Sequence, residues 1–360
     1  MSSPSEIGGD SGRKQRRSSI TNTSIELSAI GGRDRRHSSV HTISTTLRDT
    51  PELWKAFSVK NLPHCNIKGE LHDISGGLLC TFVAKKTLGG GTFGQVDAFT
   101  RTDPEGGSII VAIKRPKFHE MNLISEALFQ WKLHHDLKDF GLSFCVPQIY
   151  DIFVYQPTGD VWFSMEAFEP VFLSTWCMEN PEKFHIILLQ IALILEVLEN
   201  ELHVDHRDLK INNIIIVTQP ITITIEWEHA PRIIIFPFRV VFVDFGFACC
   251  SNTIDIKNTG HVPGLDPCPK EGRNMFQVLA SIWNNSSLRK GLESSWGNWI
   301  RERILTTVPR IHNLDNITTR FHTLDWMYTL TDIKEFRAPL CAPRKIIKEC
   351  MRILDRVGCT

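Results

Sequence analysis

The chain has 360 residues, in which 40 Lys and Arg balance 40 Asp and Glu. That neutrality offers no broad basic face for nucleic acid, and a composition 42% hydrophobic and 22% charged is that of an ordinary globular chain with ample core. The 10 cysteines include no C-x-x-C pair, so zinc and redox motifs lack support. Reduced thiols are expected, with Cys249-Cys250 packed in the interior rather than bridged.

The N-terminus lacks the apolar core of a signal peptide. The longest helical apolar run, Ile186 to Leu198, is too short to span a bilayer and contains Gln190 and Glu196. These features predict an intracellular, cytoplasmic protein without a membrane partner. A nuclear address is the weaker alternative, because the basic runs are short and broken. No feature of the chain bears on its oligomeric state.

Residues 1–50 are rich in Ser, Thr and Arg and poor in aromatics, which predicts a disordered tail. Residues 51–80 are expected to be an ordered extension, with Trp54 and Phe57 pinning a short helix. From Leu79 the pattern turns to strands. Thr81 to Ala84 leads into Leu88-Gly89-Gly90-Gly91-Thr92-Phe93-Gly94-Gln95-Val96, which has the spacing G-x-G-x-x-G-x-V. Without a Cβ in the way, backbone N–H groups here can approach phosphate oxygens. The glycines fall between two strand patterns, which argues against a dinucleotide-binding strand-to-helix turn.

The next strand, Ile109 to Lys114, ends an apolar run in a lysine that is costly to bury unpaired. Its preferred partner is Glu126, in a helical segment from about Glu120 to His135; Glu120 itself follows the strand too closely. Val146–Phe153 and Asp160–Phe168 read as further strands, and Pro181–Leu202 as a long apolar helix.

That helix delivers the chain to His206-Arg207-Asp208-Leu209-Lys210-Ile211-Asn212-Asn213. Phosphoryl transfer to a hydroxyl needs a carboxylate to orient the hydroxyl and take its proton. It also needs a cation to offset the moving charge and an amide oxygen to help hold magnesium; Asp208, Lys210 and Asn213 supply these three. The β-branched runs that follow predict an extended hairpin over 214–243, interrupted at Pro220, Pro231 and Pro237, and then comes Asp244-Phe245-Gly246. Beyond it, Asn274–Trp283, Trp296–Leu305 and Arg344–Leu354 read as helices and Asn284–Ser287 as a loop.

In this order the glycine loop, the Val111-Ala112-Ile113-Lys114 strand, the H-R-D-L-x-x-x-N loop and the D-F-G triplet resemble the eukaryotic-type protein kinase family. The match runs from about Thr81 to the C-terminus, dense to Gly246 and thin beyond. The compact, divergent C-terminal part resembles kinases encoded by large DNA viruses. The resemblance implies an α+β, two-lobed protein-kinase fold, with a small mainly β lobe over 81–168 and a larger mainly α lobe over 169–360.

It also implies an ATP-dependent kinase acting on Ser/Thr hydroxyls of protein substrates, Lys210 being the Ser/Thr form of the loop. Asp208 and Lys210 would be catalytic, and Asn213 and Asp244 would bind Mg²⁺. Lys114, positioned by Glu126, would hold the phosphates. The ATP pocket would take in Leu88 through Val96, Ala112, the hinge residues Glu166 and Phe168 with Met165 behind them, and Ile215. The alternative is a pseudokinase-like ATP-binding scaffold, disfavoured because every chemical group is present.

The departures from the family are specific. No A-P-E closes the segment after D-F-G; the nearest text is Pro269-Lys270-Glu271, just ahead of the helix at Asn274. Gln130 stands where the family prefers an apolar residue, so either Glu126 is not the partner of Lys114 or that internal spine is unusual. Arg207 would commonly meet a phosphate on Ser251, Thr253 or Thr259. Ser18, Ser19, Ser38 and Ser39 follow paired arginines in the tail, where phosphorylation is expected mainly to fall.

Overall fold

A computed structural model describes residues 28–29, 59–91, 94–118, 123–169, 171–250, 269–292, 294–307, 324–333 and 335–357. Ser18, Ser19, Ser38, Ser39, Trp54, Phe57, Thr92, Phe93, Glu120, Ser251, Thr253 and Thr259 lie outside the described residues. Of the N-terminal segment the structure describes strand β1 (Ser28–Ala29).

Strands β2 (His64–Cys65), β3 (Glu70–His72), β4 (Leu78–Gly90), β5 (Gly94–Thr102) and β6 (Ser108–Pro116) precede helix α1 (Ile124–Asp136), then β7 (Ile149–Tyr155) and β8 (Asp160–Glu166). They close into a seven-stranded barrel in the order β2-β3-β4-β5-β6-β8-β7. Alternation along β4 to β6 drives the layering. Phe82, Val111, Ile113 and Phe153 are buried inside, while Val83 and Ile110 face outward. Closure comes from β2, which pairs parallel with β7 (His64 opposite Val154, Cys65 opposite Tyr155) and antiparallel with β3.

This overturns the expected two-lobed kinase fold. A small β lobe followed by a mainly helical one is replaced by a closed barrel followed by a region that carries both helices and sheets. The physical cause is β2 and β3. Two short strands from the extension before residue 81 satisfy backbone groups that an open sheet leaves exposed at its edges.

After the barrel come β9 (Val171–Phe172), α2 (Leu173–Glu179), α3 (Phe184–Glu196) and a π-helical turn (Val197–Glu201). Helix α3 is strongly apolar and buried from Ile187 onward. Its two buried polar residues are engaged: Gln190 Nε2 donates to the Phe238 carbonyl at 3.2 Å and its Oε1 accepts from the Val240 N–H, while Glu196 takes Arg344. Then follow β10 (Val204–Asp205), β11 (Ile214–Val217), β12 (Ile221–Trp227), β13 (Ala230–Phe236), β14 (Arg239–Phe242) and β15 (Cys249–Cys250).

The extended hairpin over 214–243 is present as two nested antiparallel pairs, β11 with β14 and β12 with β13. Its tip, Glu228-His229, has φ of 51° and 68°, the doubly left-handed turn that matches strand twist. Strand β1 pairs with β12, β9 with β11, and β10 with β15.

The last helices are α4 (Arg273–Asn284), α5 (Ser286–Gly291), α6 (Ser294–Thr307), α7 (Asp325–Thr331) and α8 (Pro343–Val357), which packs on α3. The expected loop at Asn284–Ser287 is instead a helix start. The Asn285 side chain caps α5 by accepting from the Ser287 and Leu288 N–H groups at 3.1 and 3.0 Å. Cys249 is disulfide-bonded, contrary to the expectation of reduced thiols throughout. Among the described residues no helix is long and apolar enough to cross a membrane.

Phe153 tests the barrel. It is fully buried and stacked on Phe82 at 5.4 Å between ring centroids. Phe153→Ala is expected to destabilise the protein by about 3–5 kcal/mol, read as a lowered urea midpoint.

Candidate active site

A cavity of about 910 Å³ lies between the barrel and the elements that follow it. Lys114, the last buried residue of β6 and on the face opposite Val111 and Ile113, reaches into it and is 6% exposed. Its Nζ donates to Glu126 Oε1 at 2.5 Å and to Asp244 Oδ1 at 2.7 Å. Burial opposes the ammonium, but the Glu126 and Asp244 charges outweigh it and raise the Lys114 pKa. Burial pushes Glu126 up, with Asp244 adding to it against the pull of Lys114. Burial also opposes ionisation of Asp244, yet Lys114 holds that carboxyl below its ordinary range.

Gly94 is explained by this lysine: a Cβ there would lie 2.9 Å from Lys114 Cε and 3.2 Å from the Arg115 carbonyl oxygen. Among the described residues nothing lies within 4 Å of where a Cβ on Gly89 would stand, and Asp244 Oδ2 lies 3.9 Å from one on Gly91.

Asp208, Lys210 and Asn213 meet at the other wall. Lys210 Nζ donates to both Asp208 oxygens at 3.0 Å. Asn213 Nδ2 donates to the Asp208 carbonyl at 2.8 Å and to its Oδ2 at 3.0 Å. The Val243 N–H donates to the Asn213 carbonyl at 3.0 Å, tying this loop to the D-F-G strand. Arg207 and Asp244 hold left-handed backbone, φ 65° and 67°, a conformation that surrounding contacts must support in a non-glycine residue.

Helix α4 supplies that support through a polar stripe that no motif announced. Asn274 Oδ1 accepts from the His206 and Arg207 N–H groups at 3.0 and 3.3 Å. Gln277 Oε1 accepts from the Leu209 N–H at 3.2 Å, and its Nε2 donates to the Arg207 carbonyl at 2.7 Å. Ser281 Oγ accepts from the Ile211 N–H at 3.1 Å. Positions 274, 277 and 281 share one helix face, all buried. Beneath them Arg273 pairs with Asp205 at 3.1 Å, both fully buried. Asn274 Nδ2 donates to Glu199 at 3.1 Å.

The cavity lining takes in Leu88, Gly89, Gly90, Gly91, Gly94 and Val96 from the glycine hairpin. Ala112, Glu166, Phe168 and Ile215 join them, as do Lys114, Glu126, Asp208, Lys210, Asn213 and Asp244. Gln95 is not part of the lining; its side chain donates to Asp97 at 2.9 Å. Gln130 also lines the cavity, donating to the Pro147 carbonyl at 2.9 Å beside Met165. Glu126, not a misassigned neighbour, is the helix partner of Lys114.

Several lining residues were given no place at the site from sequence, among them Phe172, Ser174, Phe247, Asp332 and Tyr328. Tyr328, from α7, donates its hydroxyl to Asp208 Oδ1 and accepts from Lys210 Nζ at 3.1 Å. Burial and the Asp208 charge push its phenol up.

Among the described residues no group of three or more His, Cys, Asp and Glu is arranged to hold a metal ion. Mg²⁺ carried by a polyphosphate would need only one or two protein oxygens. Asp244 Oδ2 faces Gly91, and the Nδ2 bonds of Asn213 leave its amide oxygen as the remaining donor. No protein-family model matches the chain, and no curated protein matches it.

Glu199 gives a pH test of the buried support. Burial and the nearby Asp205 charge raise its pKa well above 4.5. The native state thus keeps a proton that the unfolded chain has already released. The stability it contributes is complete below about 4.5 and is lost as pH rises through the native value. Glu199→Gln is expected to flatten that decline, measured as the urea midpoint against pH for both proteins.

Proposed function

We propose that this chain is an ATP-dependent protein kinase that transfers the γ-phosphoryl group to Ser/Thr hydroxyls of protein substrates. The proposal rests on the site, not on the fold class. Its chief support is the buried Lys114 bridging Glu126 and Asp244 across a cavity whose opposite wall holds Asp208, Lys210 and Asn213. A polyphosphate entering under the glycine hairpin meets a cation already fixed in position.

In this reading Asp208 orients the acceptor hydroxyl and takes its proton, while Lys210 offsets charge on the transferring group. Asn213 and Asp244 would hold Mg²⁺, which supplies charge neutralisation at the phosphates. Leu88, Val96, Ala112, Met165, Phe168 and Ile215 offer apolar surface for a base, and Gln130 and Glu166 offer polar groups at its edge. Glu166 is itself held by Arg239 at 2.9 Å. Protein substrates and a cytoplasmic location, without nucleic-acid or membrane partners, belong to the same proposal.

A nucleotide-binding scaffold is the second reading. The observation favouring it is that Asp208 is fully occupied by protein donors.

Asp208→Asn is expected to lower phosphoryl transfer by about 10²–10⁴-fold while ATP still binds, because the carboxylate acts on the hydroxyl and not on the nucleotide. Equal turnover by mutant and wild type would leave only the scaffold. Lys114→Met is expected to weaken Mg-ATP binding itself, measured by calorimetry, with turnover falling alongside.

A further inference from the structure

The Asp208 carboxylate has no acceptor place to spare. Oδ1 receives Lys210 Nζ at 3.0 Å and the Tyr328 hydroxyl; Oδ2 receives Lys210 Nζ and Asn213 Nδ2, each at 3.0 Å. An ionised carboxylate offers about four lone-pair sites, so an external hydroxyl can reach this base only by displacing a donor. An ammonium and an amide hold three of the four places. The fourth belongs to a hydroxyl, the same kind of oxygen nucleophile as a Ser or Thr acceptor. That oxygen also lies 3.1 Å from Lys210 Nζ and faces the cavity shared with Asp244 and the glycine hairpin.

The helix behind Tyr328 is anchored. Trp326 and Met327 are buried, and Trp326 packs edge-on against Phe276 of α4 at 6.4 Å. Gln277 Nε2 donates to Thr331 Oγ1 at 3.3 Å. The buried Lys270 ammonium caps the helix by donating to the Thr331 and Ile333 carbonyls at 3.1 and 2.7 Å. The phenol therefore reaches the base from a fixed support.

We propose that Tyr328 occupies the acceptor place of this site and is phosphorylated there by its own chain. The inference rests on the phosphoryl-transfer reading above and adds a tyrosine acceptor to it. The Tyr328 oxygen forms a bond to the γ-phosphorus of ATP as the bond from that phosphorus to the β,γ-bridging oxygen breaks. The bridging oxygen leaves with the electron pair as ADP, and the phenolic proton passes to Asp208. A phosphate of about −1.5 to −2 charge then stands beside a carboxylate and is repelled from it. Oδ1 is thereby opened to an external hydroxyl, so the first turnover on Tyr328 unblocks the site.

The test uses the full chain, dephosphorylated, with Mg-ATP and a mixed protein substrate, read by peptide mass mapping. Phosphate is expected on Tyr328, at a rate constant unchanged when the protein is diluted, and absent from Asp208→Asn. Wild type should show a lag on external substrate that tracks Tyr328 phosphate, and Tyr328→Phe should start without one. External Ser/Thr phosphorylation with Tyr328 unmodified overturns the inference and leaves the kinase reading standing. A fall in kcat for Tyr328→Phe, with wild-type Tyr328 unmodified, reduces the residue to a positioning role and also overturns it. Transfer to no residue at all removes both. The mapping of wild-type Tyr328 decides even if the variant fails to fold.

Discussion

One buried ammonium holds the site together. Lys114 is carried by the barrel, Glu126 by the helix packed on it and Asp244 by the segment after β14, so a single group binds three separate parts of the chain. Left alone in this environment the ammonium would cost several kcal/mol in lost hydration, and removing either carboxylate would expose that cost. Two acids facing one base leave an excess of negative charge. Burial and mutual repulsion raise Glu126, while Asp244 stays ionised toward the cavity.

The opposite wall obeys a different constraint. The loop from His206 to Asn213 is irregular and buried, so its amide groups need partners that neither helix nor sheet can provide. Helix α4 answers with amide and hydroxyl side chains from residues 274, 277 and 281, and the Asp205–Arg273 pair lies directly below. Backbone strain at Arg207 is tolerable because hydrogen bonds on both sides fix that peptide. The rigidity of Asp208 is thus supplied by α4, far along the chain from the loop itself.

Legibility in the sequence follows from distance along the chain. Lys114, Asp208, Asn213 and Asp244 were readable because each sits in a short local pattern whose spacing is set by one strand or one loop. Glu126 was readable because a lysine ending an apolar strand demands a partner. Tyr328 carried no such signal: it is one aromatic on a seven-residue helix, joined to Asp208 only by the tertiary fold. Asn274, Gln277 and Ser281 did leave a trace, as polar residues on one stripe of an otherwise apolar helix. That trace reads as a solvated face until the helix is known to be interior. Gln190 in α3 is the same case.

The fold class failed for a related reason, yet the motif residues still meet at one cavity. Barrel closure depends on β2, two residues long and without a readable period, so nothing local announced it. It acts at the far end of the barrel. β3 pairs with Leu78 to Thr81 at the start of β4, whereas the cavity begins at Leu88 near its end. On β7 the pairing involves Val154 and Tyr155, next to the hairpin into β8, whereas Met165 and Glu166 line the cavity at the opposite end of β8. A strand advances about 3.3 Å per residue, so the closing contacts and the cavity stand roughly 20 Å apart along the same strands. The barrel can therefore be closed at one end without moving a group at the other, and the motif residues can converge on one cavity although the inferred architecture was wrong.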